Sequence, residues 1–312
     1  MILLSRLLLL ALILLFLLCA LAVHLRSRVR LHWRKQLGSH ATLFAPYNLL
    51  MYAFSAVRAR PFAERARFPQ LDPLRDHWRE VRDEALHLFD QGFIRAAERN
   101  NDASFNSFFK EGWKRFYVKW YGEPLGSAQA LCPRTVALVN AIPTVKAAMF
   151  ALLPPDSKLN PHRDPFAGSL RYHLGLVTPN ANSCRIFVDG EEYFWRDGED
   201  VIFDETLVHS AENKSGITRV ILFCDIDRPL RWRWMSSLNH RVGAFMGRIT
   251  SSPNTEAEPV GFLNRLYALG QRNRERGKRF KHANPRLFRG AKTVGIIVLL
   301  WIVLLAPWPL VR

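Results

Sequence analysis

One run of sequence limits this chain more than any other. Residues 7–23 carry no charge, and Cys19 is their only member that is not plainly apolar. Such a run must be buried in protein or in lipid. As a helix, its 17 residues reach roughly 26 Å, near the lower limit for crossing a bilayer. A cleaved secretory signal is the competing reading, since Ala20-Leu21-Ala22 resembles a small-x-small cleavage site. Arg26, Arg28, Arg30, Arg34 and Lys35 follow at once, however, and such a cluster resists translocation. The expectation is an uncleaved anchor over residues 1–23 with the following chain on the cytoplasmic side. A second apolar stretch, 293–312, is preceded by nine basic residues between Arg272 and Lys292, opposed by Glu275 alone. It holds the same middle portion inside, although Pro307 and Pro309 could leave it broken or interfacial.

The rest of the chain is not a disordered polar linker. Of its 312 residues 49% are hydrophobic and 12% aromatic, enough for a sizeable core. Four well-separated cysteines form neither a disulfide framework nor a zinc pattern, as in a reducing compartment. The formal net charge is +17. With the basic clusters beside the apolar ends and no nucleic-acid-binding motif, the expected partners are anionic membrane lipids rather than nucleic acid. No obligate protein partner is expected.

Residues 41–57 are apolar with a Pro46 interruption and read either as an interfacial segment or as a buried helix. Residues 71–89 have the three-to-four spacing of an amphipathic helix (Leu74, Trp78, Val81, Leu86, Leu88). Residues 105–121 are crowded with aromatics that read as core. From residue 145 the period shortens. Strand-like segments at 145–153, 169–177, 184–188, 192–195, 200–203 and 218–225 are divided by turn signals such as Asp189-Gly190 and Asp197-Gly198. Strands so spaced predict a β-sandwich or barrel preceded by helices.

Within that β region, His162-Arg163-Asp164 puts an imidazole and a carboxylate on the same side of an extended backbone. Alone the pattern is weak. With His209 it completes a set of two histidines and one carboxylate, the facial triad of non-haem Fe(II) oxygenases, which leaves positions open for co-substrate and O2. Arg219 interrupts an apolar strand and needs an anionic partner, such as a carboxylate of a bound dicarboxylate. Arg171 and His173 form another same-face pair that could grip a carboxylate. Each of these taken singly reads better as an exposed strand-face residue. Asp204-Glu205 either orients His209 or closes a loop.

Taken together, residues 162–176 (HRDPFAGSLRYHLGL) and 198–225 resemble the catalytic core of the aspartyl/asparaginyl β-hydroxylases, a family of Fe(II)/2-oxoglutarate dioxygenases. The resemblance spans about residues 70–230. It implies an α+β chain: a double-stranded β-helix (cupin-type jelly roll) with N-terminal helices, flanked by membrane helices at both ends. The implied division is an anchor over 1–23, a basic interfacial segment over 24–70, a dioxygenase domain over 71–230, a basic segment over 231–292, and a membrane segment over 293–312. His162, Asp164 and His209 would hold Fe(II). Arg219 would bind the distal carboxylate of 2-oxoglutarate, with Arg171 and His173 around the other. Two departures from the family pattern stand out. Asp164 occupies a position that is glycine in the animal protein-hydroxylating members, which moves the chain towards the bacterial lipid-modifying branch. Ala151 replaces a serine that helps hold 2-oxoglutarate. The implied activity is hydroxylation at C2 of a fatty acyl chain of lipid A, at the cytoplasmic face of the bacterial inner membrane. A peptidyl hydroxylase of the same chemistry and a non-catalytic cupin scaffold are the alternatives.

Overall fold

A computed structural model describes residues 2–97 and 102–304. The chain divides into two compact units, residues 1–264 and 265–312. The first opens with helices α1 (Ile2–Leu25), α2 (Trp33–Leu37), α3 (His40–Leu43), α4 (Ala45–Ala53), α5 (Asp72–Asp76), α6 (Trp78–Asp90) and α7 (Asn106–Phe109). Strand β1 (Lys114–Trp120) and helices α8 (Gly126–Leu131) and α9 (Pro133–Asn140) lead into the β region. Its strands are β2 (Val145–Leu153), β3 (Ser157–His162), β4 (Ser169–Val177), β5 (Cys184–Val188), β6 (Glu191–Phe194), β7 (Asp200–Phe203), β8 (His209–Asn213) and β9 (Arg219–Asp227). Helix α10 (Arg233–Thr250) and α11 (Phe262–Ala283) follow, and the second unit ends in α12 (Pro285–Leu304).

The strands make two antiparallel sheets, in the orders β1-β2-β9-β4-β7 and β3-β8-β5-β6. With β1 set aside, β2 to β9 cross between the sheets as the eight strands of a jelly roll, with β5 and β6 forming a hairpin within the smaller sheet. The expected double-stranded β-helix is therefore the observed one. The larger sheet is covered on both faces, which is why β4 and β9 are buried along nearly their whole length. Its outer face (Leu170, Tyr172, Leu174, Val220, Leu222, Cys224) packs under helices through Leu74, Val81, Ala85, Leu88 and Val139. Its inner face (Met149, Ala151, Ile221, Phe223, Phe203) meets Ile186, Val188 and Ala211 of the smaller sheet. All four cysteines are buried and free.

Three strands escaped the pattern reading. β3 and β8 carry mostly polar residues, and β1 lies in the aromatic run taken only as core. The expected helix over 71–89 is broken at His77 into α5 and α6.

Among the described residues, one helix is long and apolar enough to cross a membrane by length and composition: α1, over Arg6–Leu25. Its last turns dock on the first unit, where Cys19, Ala20 and Val23 bury against Ala45, Leu49 and Tyr52 of the 41–57 segment. The remainder of α1, from Leu7 to Leu18, is largely exposed leucine. The C-terminal membrane segment expected over 293–312 is helical as far as Leu304; residues 305–312, with Pro307 and Pro309, lie outside the described residues.

Candidate metal centre

Register brings the candidate residues together. β3 and β8 pair so that His162, the last residue of one, lies opposite His209, the first of the other. The two rings sit 4.2 Å apart between centroids. Two residues beyond His162 the chain has left the strand, and the Asp164 N–H donates to the Glu205 carbonyl at 3.0 Å. That link holds Asp164 beside the histidines, with Oδ1 3.8 Å from His162 Nε2. One ligand atom from each of His162, Asp164 and His209 falls within 4.8 Å of the others.

The surroundings set the donor atoms. His162 Nδ1 pairs with the Asn160 carbonyl at 2.7 Å, and His209 Nδ1 with the Leu207 carbonyl at 3.0 Å. A carbonyl can only accept, so Nδ1 carries the proton in each ring and Nε2 keeps its lone pair. Burial lowers both imidazole pKa values, with His162 adding to the effect on His209, which falls to about 3. Burial works to raise the pKa of Asp164, but Arg171, His209 and His162 outweigh it and keep it ionised. Neutral imidazoles and an ionised carboxylate are the forms a divalent cation needs.

Charge balance points the same way. Arg171 donates to Asp164 Oδ2 at 2.8 Å and to Glu205, and its Nε lies 2.8 Å from Asp225. Glu205 also accepts from Ser169, and Asp225 from Tyr121. Three carboxylates, Glu205 and Asp225 buried and Asp164 half-buried, thus converge on one guanidinium, and a cation at the free Asp164 Oδ1 would relieve the excess. Arg171, expected beside a 2-oxoglutarate carboxylate, is engaged with the protein's own carboxylates. Glu205 reaches Arg171 and Ser169, whereas Asp204 pairs with Arg26 at 2.7 Å and Arg228 at 3.1 Å.

A different set of donors lies deeper between the sheets. Arg219 is buried over the Trp195 ring, 4.3 Å from its centroid. It has no carboxylate partner among the described residues, and its Nε is unpaired. Burial lowers its pKa to about 10. His173, packed among Trp195, Phe203 and Phe223, has neither ring nitrogen bonded, and Trp195 Nε1 is also unpartnered. Ala151 lies on the same inner face, opposite Ile221. An unpaired buried guanidinium with two further unsatisfied donors suits a carboxylate ligand.

Residues 75–229 match the aspartyl/asparaginyl beta-hydroxylase family. The chain belongs to that family. Over 120 residues, 38% of the chain, it is 39% identical to an ornithine lipid ester-linked acyl 2-hydroxylase of Rhizobium tropici. Over 190 residues, 57% of the chain, it is 25% identical to the aspartyl/asparaginyl beta-hydroxylase of Homo sapiens. These matches span 43% and 24% of the two relatives, so the chain covers less than half the length of either. A Pseudomonas putida prolyl-4-hydroxylase structure overlays 49% of the chain and 87% of its own length at 20% identity, with a TM-score of 0.34. The strand order, rather than that overlay, carries the fold.

The residues that sequence reasoning missed belong to the network around these donors. Tyr121, Asp225 and Trp195 lie far from the H-x-D motif in sequence and reach the centre only through strand register. The middle residue of that motif, Arg163, points the other way from its neighbours. Its guanidinium donates to the Val23 carbonyl at 2.5 Å and the His24 carbonyl at 3.3 Å, capping the C-terminal end of α1.

Proposed function

We propose that this chain is a membrane-associated Fe(II)/2-oxoglutarate-dependent dioxygenase that hydroxylates C2 of a fatty acyl chain of a membrane lipid. The dioxygenase domain would span residues 71–230, between membrane-proximal segments. The observation that carries the reading is the convergence of His162, Asp164 and His209 with their Nε2 and Oδ1 atoms unblocked. When bound, iron with 2-oxoglutarate and O2 supplies an oxidant able to break an unactivated C–H bond.

The chain's own residues do the rest. His162, Asp164 and His209 present three donors, and the Asn160 and Leu207 carbonyls fix the imidazole tautomers. Arg171 holds Oδ2 of Asp164 and so leaves Oδ1 facing the metal position. Arg219 and His173 offer their unpaired N–H groups to the 2-oxoglutarate carboxylates. The apolar walls formed by Phe203, Phe223 and Trp195 keep water from the site.

Lipid A is the substrate implied by the resemblance, and the ornithine lipid hydroxylase relative favours an amine-bearing lipid as a second candidate. The docked α1 and the basic residues that follow it support placement at the inner membrane with the barrel on the cytoplasmic side. The deciding experiment expresses the chain and its His162→Ala variant in a host that lacks 2-hydroxylated lipids. The lipids are then weighed by mass spectrometry. A gain of about 16 Da, one oxygen, on an acyl chain with wild type alone is expected. Gain on lipid A or on an ornithine lipid selects between the substrates. Unchanged lipids, with 2-oxoglutarate turnover stimulated by an aspartyl or asparaginyl peptide, would overturn the lipid reading. No bound iron after anaerobic purification would favour a non-catalytic scaffold.

A further inference from the structure

Between Asp227 and Glu256 the chain has no acidic residue, while Arg231, Arg233, Arg241 and Arg248 are exposed in that interval and Arg228 is buried on Asp204. Helix α10 occupies most of it. One side of α10 is buried through Met235, Asn239, Gly243 and Gly247, spaced by four. The fit is close: a Cβ on Gly247 would come within 2.3 Å of Tyr121 Cβ, and one on Gly243 within 3.3 Å of the Tyr121 ring. The opposite side carries Trp234, Leu238, Arg241, Phe245 and Arg248, at spacings of four, three, four and three. These positions lie within one narrow stripe of the helix. The stripe is exposed although it is mostly apolar, with Trp234 at 56%, Leu238 at 37% and Phe245 at 55%.

Three observations say what covers this stripe. The first is continuity with α1. Its last turns pack on α4, the residue after α4 is Phe54, and Phe54 meets Trp232 and Trp234 at 4.8 and 5.7 Å. The α10 stripe therefore begins beside the place where α1 docks. The second is chemistry. Tryptophans alternating with arginines (Arg231-Trp232-Arg233-Trp234) suit a headgroup boundary, where indoles sit at the interface and guanidiniums meet phosphate. The third is charge, since the exposed arginines on and just before α10 complement an anionic lipid, and the acid beside the helix, Asp227, is paired with His240.

From these we infer that the outer stripe of α10 is a second membrane contact, lying in the headgroup region of an anionic leaflet beside the α1 anchor. The contact has a consequence for the site. The buried side of α10 walls a cavity of about 220 Å³ whose other residues include Tyr121, Phe166, Gly168 and Ser169. Tyr121 and Ser169 bond directly to Asp225 and Glu205, the carboxylates on Arg171. With the outer stripe on the bilayer, only the thickness of one helix separates this cavity from the lipid. The inference rests on the membrane reading above, and its test separates the two.

The full chain is placed in lipid nanodiscs of phosphatidylcholine, with or without about a quarter phosphatidylglycerol. A spin label is attached, one position at a time, in Leu14→Cys, Leu238→Cys, Phe245→Cys and Lys214→Cys. The native cysteines are buried, so exposed positions label first. Collisions of the label with O2 and with a water-soluble nickel chelate report its depth. Labels at 238 and 245 are expected to favour O2 severalfold over the label at 214, on the β8–β9 loop, and more so with phosphatidylglycerol. If 238 and 245 match 214 while the α1 label at 14 is in lipid, the α10 contact is wrong and the anchor stands. If 14 is in water while 238 and 245 are in lipid, the α10 contact stands and the anchor reading falls. Equal depth in the two lipid mixtures would overturn the anionic preference.

Discussion

Arg219 is where stability and proposed function pull in opposite directions. An arginine buried without a counter-charge costs the fold, and the cost is recovered only when an anion arrives. Arg219→Leu should therefore raise the stability of the ligand-free protein, by about 1–2 kcal/mol. The same change should raise the KM for 2-oxoglutarate by about 30-fold or more, the equivalent of about 2 kcal/mol for a charged hydrogen-bonded contact. Thermal unfolding with and without 2-oxoglutarate checks both halves, since the ligand should stabilise wild type and not the variant. A variant that melts lower than wild type without ligand would mean that Arg219 has a structural partner. At this scale the sequence was informative wherever a polar residue broke an apolar pattern, as Arg219 does. It left the role of Glu205 open and was silent on Asp225, because their convergence on Arg171 depends on β4, β9 and the loop after β7 coming into register.

The H-x-D segment connects two elements that the sequence shows only as separate motifs. His162 and Asp164 face the centre, while Arg163 on the alternate side holds the last carbonyls of α1. A second clasp, Arg26 to Asp204, ties the residue after α1 to the turn before β8, and Arg228 flanks the same carboxylate. Burial works to raise the Asp204 pKa, but Arg228 and Arg26 outweigh it and hold it well below the usual carboxylate range. The sign follows from linkage: stabilisation is complete above the unfolded value of about 3.9 and is lost as pH falls through the folded one. Asp204→Asn should cost about 3 kcal/mol at pH 7, with the deficit closing towards pH 3 and below. Melting of both proteins in detergent across that range tests it, and a pH-independent deficit would assign the loss to packing. β3 and β8 escaped pattern reading for a related reason. Each pairs within the smaller sheet, β8 burying alternate residues and β3 only Leu159, so neither shows an apolar run.

For the whole molecule, the positive charge and the apolar helix α1 make separable claims. A net charge of +17 attracts an anionic leaflet over about 10 Å at 0.1 M salt but over only about 3 Å at 1 M. Insertion of an apolar helix is insensitive to salt. If α1 anchors the chain and charge only sets how the barrel meets the surface, raising salt from about 0.05 to 0.5 M should leave the protein on vesicles while lipid hydroxylation falls severalfold. Turnover of 2-oxoglutarate with a short-chain substrate in detergent should change little, because the donors at the site are enclosed by the barrel. Vesicle flotation and product analysis on the same samples check both parts. Protein released by salt would mean that α1 does not insert and that charge alone holds the chain to the membrane. Retained protein with undiminished lipid hydroxylation would mean that the basic surface has no part in presenting substrate. The apolar run of α1 and the basic residues after it were legible from composition and charge placement. The proximity of α1 and α10 was not, because α1 packs on α4 and Trp234 of α10 on Phe54, the residue after α4, only through the fold.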